Sequence, residues 1–144
     1  LFEAQAAEKR IRLSLEVEAA SPGVHGDAQR TSQVIGNLLS NALEFTPEDG
    51  EVRVVVGAQN GGGRLAVLDT GPGVPPTELS QIFDRFWRSD KSRARQTGGS
   101  GLGLAIARQL VEAQGGQVFA KNRPQGGLEV GFTLGGSVIK LKKD

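Results

Sequence analysis

Between Ile11 and Val17 apolar and polar residues alternate strictly, Ile-Arg-Leu-Ser-Leu-Glu-Val, the period-two pattern of a half-buried strand. Phe2 to Arg10, just before it, has the spacing of a short helix. Ser21-Pro-Gly23 breaks the strand, and the period then lengthens. Val34, Ile35, Leu38, Leu39 and Ala42 fall on one arc of a long helix that Asp27 can cap and that runs to about Phe45. Thr46-Pro47 and Asp49-Gly50 stop that helix and turn the chain. Val52–Ala58 and Arg64–Leu68 read as a hairpin around Asn60-Gly-Gly-Gly63. Pro76 to Phe86 predicts a short helix, and residues 88–100 carry no apolar period and read as a mobile loop. Leu102–Ala113 is helical again, stopping at Gly115-Gly116, and Gln117–Asn122 with Leu128–Leu134 form a second hairpin. Residues 135–144 show no period and are set apart as a tail.

This order predicts an α/β (α+β) two-layer sandwich, a mixed and mostly antiparallel sheet with helices on one face. At 144 residues the chain fits one domain with a real core. With no Cys there is neither a disulfide nor a thiolate metal site. A net charge of +1 gives no general pull toward nucleic acid or membrane. No apolar run approaches the roughly 20 residues that span a bilayer, so this segment is expected to be soluble. The 21 Gly are many for the length, and they cluster where the candidate chemistry lies.

Four segments carry that chemistry. Asn37-Leu-Leu-Ser-Asn41 puts two amides on one helix face bordering the apolar arc, where a carbonyl oxygen can ligate Mg²⁺ or simply be satisfied by backbone and water. Asp69-Thr-Gly71-Pro-Gly73 closes an apolar strand. Its carboxylate can accept from an exocyclic amine while the glycines let a flat ring approach, although an ordinary Asp-x-Gly turn looks the same. Gly98-Gly99-Ser-Gly101-Leu102-Gly103-Leu104 leads into a helix, so its backbone N–H groups and the helix dipole can cradle phosphates; a glycine-rich hinge is the alternative. It is not a Walker loop, because no Lys-Ser/Thr follows. Phe83-Asp-Arg85-Phe86-Trp87-Arg88 offers aromatics to anchor the loop in the core, with Lys91, Arg93 and Arg95 behind it. That charge suits a triphosphate or a solvated loop, and with no aromatic platform beyond this short stretch it does not suit nucleic acid.

In this order the four segments resemble the asparagine, first glycine, phenylalanine and second glycine boxes of sensor histidine kinases, a family within the superfamily of type II topoisomerases, mismatch-repair ATPases and a heat-shock chaperone. The resemblance covers about Ile11 to Leu134 and implies a Bergerat-type ATP-binding fold using ATP and Mg²⁺. It implies Asn41 as Mg²⁺ ligand, Asn37 supporting phosphates or metal, and Phe45 stacking on adenine. Asp69 would accept from the adenine amino group, and Gly71 and Gly73 would shape the purine pocket. Gly99, Gly101, Leu102, Gly103 and Leu104 would serve the phosphates, and Arg88 would reach the γ-phosphate and assist its transfer. Residues 88–100 would form the lid, and 1–10 a junction helix toward a dimerisation and phosphoacceptor domain of the parent kinase. The further partner implied is the receiver domain of a response regulator, with no nucleic acid and no membrane contact by this domain. The expected setting is cytoplasmic, an inner-membrane anchor of the parent being left open.

Three positions depart from that pattern. Glu44 stands where Lys or Arg is frequent, Leu128 follows Gly126-Gly127 where a small hydroxyl residue is usual, and Phe45 replaces a common Tyr. His25, the one histidine, sits in a Pro-Gly-x-His-Gly turn and is rejected as phosphoacceptor. The rival expectations are an ATP hydrolase or an anti-sigma-type serine kinase of the same superfamily, or a nucleotide-binding module without catalysis. Against the hydrolase, Asn37 occupies the place of a general-base Glu and cannot take a proton from water.

Overall fold

The computed structural model describes residues 2–18, 27–59, 61–87 and 102–135. The Ser21-Pro-Gly23 break, His25, the segment 88–100, Gly101 and residues 136–144 lie outside them. Among the described residues the order is α1 (Phe2–Glu8), β1 (Arg12–Val17), α2 (Ala28–Phe45), β2 (Glu51–Gln59), β3 (Gly62–Asp69), a 3-10 helix (Pro76–Gln81), α3 (Gly103–Ala113), β4 (Gln117–Asn122) and β5 (Leu128–Leu134). The strands form one sheet in the order β1-β2-β3-β5-β4. Only β1 and β2 pair in parallel, which requires a crossover, and α2 supplies it. The sheet is therefore mixed and mostly antiparallel, as the pattern predicted.

Alternation puts Val52, Val54, Leu65, Val67, Val130 and Phe132 on one face of the sheet. There they meet Val34, Leu38 and Leu43 of α2 and Leu104, Ala107 and Val111 of α3 in a single core. Burying each such side chain is worth about 1.5–3 kcal/mol, so the two-layer arrangement follows from the strand and helix periods together. The opposite face carries an ion pair between β3 and β5. Arg64 reaches Glu129 at 2.7 Å and lies 4.4 Å over the Phe119 ring.

The helix ends are set locally. Asp27 Oδ1 accepts from the Gln29 and Arg30 N–H groups at 2.9 and 3.1 Å, capping α2. At the other end the fully buried Thr46 donates its hydroxyl to the Ala42 carbonyl at 2.7 Å, which fixes the exit of the chain just past Phe45. From α1, Lys9 donates to the Leu43 and Glu44 carbonyls at 2.8 and 3.2 Å, a cation at the negative end of α2. Ala6 joins α1 to the core. Gly115, at φ +81, ends α3 as predicted.

Three expectations need correction. The apolar face of β1 is not half-buried, since Leu15 and Val17 are 67% and 59% exposed. β1 is an edge strand, and the core reaches only as far as Leu13 along it. The first hairpin is tighter than four residues, because Gly62 and Gly63 already belong to β3. A Cβ at Gly62 would collide with the Leu134 carbonyl, so that glycine serves strand packing rather than the loop. The short helix stops at Gln81, and the aromatic anchor is two-membered: Phe83 is buried and Trp87 packs on the core, whereas Phe86 is 62% exposed. At Phe86 the backbone passes through φ +64, a reversal that throws its ring outward beneath the Arg85 guanidinium.

Candidate functional site

Asp69 ends β3, a strand flanked on both sides, and is only 4% exposed. Its Oδ1 accepts from the Gly71 N–H at 2.8 Å and the Leu128 N–H at 3.1 Å. Both donors converge on one oxygen, leaving Oδ2 for whatever occupies the cleft that Asp69 lines. Burial pushes the carboxyl above its ordinary value, against the pull of those two N–H groups and of the Arg123 guanidinium.

The backbone around Asp69 leaves no room for a side chain at three points. Gly73 sits at φ +70, and a Cβ there would come within 2.6 Å of Asn122 Oδ1. Gly127, at φ +99, lies against the Asp69 carbonyl, which a Cβ would strike. A Cβ at Gly71 would press on the Phe45 carbonyl at 2.9 Å. These contacts give the first glycine segment a packing reason independent of any ligand.

Along α2 the positions 37, 41 and 45 rise one turn apart on one side. Asn41 and Phe45 line the same cleft as Asp69, Gly73 and Leu104, and Ile82, Trp87 and Leu128 complete its apolar wall. Asn37 does something else: its amide nitrogen donates to the Gly103 carbonyl at 3.0 Å, tying α2 to the head of α3. Its carbonyl oxygen remains for a ligand. Among the described residues the first turn of α3, Gly103 and Leu104 included, has no side-chain cap, and Leu104 lines the cleft. Gly71 lines an adjoining groove with Lys9, sharing Phe45 and Pro72 with the cleft. Arg88, Gly99 and Gly101 lie outside the described residues.

The cleft thus has a buried acceptor at one end, an aromatic side chain beside it, an amide oxygen one turn on, and a helix N-terminus beyond. That series fits a flat heterocycle bearing an amino donor with a polyanion attached. Among the described residues no group of three or more His, Cys, Asp or Glu is placed to hold a metal ion. One Asn carbonyl can complete the shell of a Mg²⁺ that phosphate oxygens already hold, but cannot hold the bare ion.

Sequence reasoning missed Asn122, Arg123, Trp87 as a cleft wall, and Lys9. The Asn122 amide nitrogen donates to the Val74 carbonyl at 2.8 Å while its oxygen accepts from the Val74 N–H at 3.1 Å. Arg123 donates through Nη1 to the Asp69 carbonyl at 2.7 Å. Neither contact leaves a local pattern, since the partners stand 48 and 54 residues away. Leu128, a departure by side chain, contributes to Asp69 through its N–H, which any residue but proline would supply.

A family model described as histidine kinase-, DNA gyrase B-, and HSP90-like ATPase matches residues 26–137. Signal transduction histidine-protein kinase BaeS of Escherichia coli (strain K12) is 40% identical over 111 residues, covering 77% of this chain and 24% of its own length. The chain spans well under half the length of the curated relatives it matches. Among solved structures, the mycobacterial sensor histidine kinase MprB superposes with a TM-score of 0.79 at 33% identity, over 92% of this chain and 89% of that one. Full-length ShkA in complex with AMPPNP gives 0.79 at 34%, over 92% of this chain and 27% of that one. Taken with the cleft's order of parts along α2 and β3, these matches make the chain a member of the histidine kinase-, DNA gyrase B- and HSP90-like ATPases, as the catalytic ATP-binding domain of a sensor histidine kinase.

Proposed function

We propose that the domain binds Mg-ATP with its adenine on Asp69 and transfers the γ-phosphate to a histidine of a separate dimerisation domain, for onward transfer to a response-regulator receiver. The observation that carries this reading is Asp69 itself, a buried carboxylate whose backbone donors share one oxygen in a cleft walled by Phe45. Oδ2 accepts from the adenine amino group, and the Phe45 ring stacks on the purine. One turn along α2, Asn41 would give its carbonyl to Mg²⁺, which when bound would supply charge neutralisation for the phosphates. Asn37 holds the head of α3, where Leu102, Gly103 and Leu104, with Gly99 and Gly101, meet the phosphates.

In the transfer a neutral imidazole nitrogen attacks the γ-phosphorus. The bond from that phosphorus to the β–γ bridging oxygen breaks, and ADP leaves with the electron pair. Arg88 offsets charge on the γ-group as this happens. Little covalent help is needed, so positioning and charge carry the catalysis. The resemblance supports the roles of Arg88, Gly99, Gly101 and the lid 88–100, and equally a parent facing the cytoplasm. Among the described residues no helix is long and apolar enough to cross a membrane.

Hydrolysis is the rival reading, and Asn37 counts against it. It is a neutral amide whose nitrogen is already engaged with Gly103, so it cannot itself act as general base for an attacking water. The test mixes this domain with the separately produced acceptor domain of its own parent and radiolabelled ATP. The expected product is an acid-labile, alkali-stable phosphohistidine on the partner, lost in Arg88→Ala while ATP still binds. Brisk ATP hydrolysis by the domain alone, with no label on the partner, would overturn the kinase reading.

A further inference from the structure

The turn between β4 and β5 touches the adenine end of the cleft from behind. Asn122 makes a two-way hydrogen bond with the Val74 backbone, and Arg123 Nη1 donates to the Asp69 carbonyl at 2.7 Å. The Arg123 N–H closes the turn on the Gly127 carbonyl at 2.9 Å, and Leu128 then gives its own N–H to Asp69 Oδ1 at 3.1 Å. Gly73 and Gly127 lie between these contacts in left-handed conformations, each so close that a Cβ would collide. The segment from Asp69 to Val74 is thereby held at both ends by a hairpin that contributes only its Leu128 wall to the cleft.

We propose that Arg123 is a positioning residue for purine selection, acting through Asp69. This rests on the reading that Asp69 recognises adenine. Selection needs an ionised carboxylate whose free oxygen points at the amino group. Adenine presents a donor there and guanine an acceptor, so the ionised group welcomes one and repels the other. A neutral carboxyl could instead donate to guanine's oxygen and the preference would fade. Arg123 serves both requirements. Its hydrogen bond pins the peptide from which the carboxylate hangs, and among the described residues its charge is the cation whose field favours the ionised form of this buried group. Asn122 fixes the far end of the same segment without charge, so it sets shape but not ionisation.

The experiment measures dissociation constants for ATP and GTP by titration calorimetry on the 144-residue chain and on Arg123→Met, Arg123→Gln, Arg123→Lys and Asp69→Asn, with a thermal melt of each. Arg123→Met is expected to lower the ATP-over-GTP ratio about tenfold, the size of one charge-assisted hydrogen bond. Arg123→Lys, which keeps the cation, should recover most of that ratio, and Arg123→Gln, which keeps only a donor, should recover little. A purely structural role would weaken both nucleotides equally and leave the ratio unchanged. Should Asp69→Asn abolish selection while Arg123→Met preserves it, the inference about Arg123 falls and adenine recognition by Asp69 stands. If instead Asp69→Asn leaves the ratio as it was, the underlying reading is itself wrong and the inference goes with it. An Arg123→Met chain that fails to melt cooperatively is read out through Arg123→Gln and Arg123→Lys, and equal ratios in those two would also overturn the proposal.

Discussion

Asp69 illustrates how a residue proposed to bind ligand can work against the fold that holds it. Burial raises its carboxyl above the 3.8 of an unperturbed aspartate. Between 3.8 and the raised native value the folded chain holds a proton that the unfolded chain has released, so the stability contributed by this group falls as pH rises through that window. Once ionised, the buried carboxylate is a cost to the fold. Asp69→Asn removes the charge while keeping an oxygen for the Gly71 and Leu128 N–H groups. The amide NH₂ must then take the Oδ2 position and confront adenine's amino group, donor against donor. ATP affinity should fall by about 1–3 kcal/mol, yet the melting temperature at pH 7 should stay level or rise. Calorimetry and a thermal melt check the two halves; a mutant both unstable and weak-binding would show that the carboxylate also holds the fold. In the native chain ATP affinity should drop on acidification at a pH above 3.8, and a midpoint at or below 3.8 would contradict the raised value.

At the level of elements, the cleft depends on segments held where their own propensities do not put them. The turn after β3 contributes Gly73 at φ +70, with Asn122 Oδ1 filling the space a side chain would need. Gly73→Ala forces both an unfavourable backbone conformation and the loss of the Asn122–Val74 pair. It should cost about 2–4 kcal/mol of stability in a denaturant titration. Gly126→Ala offers the comparison, because φ is +106 there too but no atom lies near the added Cβ. Its smaller loss, about 1–2 kcal/mol from backbone strain alone, would separate conformation from collision. Equal losses at the two sites would mean that the Asn122 contact carries no weight. Helix α2 plays a comparable part for α3, with Asn37 at its contact with Gly103.

Across the whole molecule, nucleotide binding has a built-in reporter. Trp87 is the one tryptophan in the chain and it lines the cleft, so its fluorescence should change when ATP enters. A titration that is calorimetrically clear but leaves Trp87 emission unchanged would put the nucleotide elsewhere. The same signal tests the metal. Without a cluster of acidic ligands among the described residues, MgCl₂ alone should give no response, while Mg²⁺ should tighten ATP. Asn41→Ala should erase most of that tightening and leave adenosine binding nearly intact. Equal losses for Mg-ATP and adenosine would remove Asn41 from the metal and return it to the apolar wall.

Much of this molecule is legible in local pattern. The arc Val34 to Ala42, the Asp27 cap, the Gly115 stop and the second hairpin are short-range features, each imposed by side-chain period or by backbone conformation within a few residues, and each stands where the pattern put it. Asn41 and Asp69 stand out in the same way, from one helix face and one strand end, whereas Phe45 comes only from the family resemblance; all three line the cleft. Local pattern failed where burial depends on neighbours. Leu15 and Val17 alternate as a half-buried strand should, yet they are exposed, since only the sheet order makes β1 an edge. Phe86 reads as an anchor until the reversal at φ +64 turns it outward. Arg123, Asn122 and Lys9 look like ordinary surface polar residues, and their partners lie 34 to 54 positions away in the chain. The pairings of Asn122 and Arg123 form only when the sheet closes β3 against β5 and β5 against β4, which brings the second hairpin's turn beneath Asp69, so tertiary structure alone decided what holds the carboxylate in place.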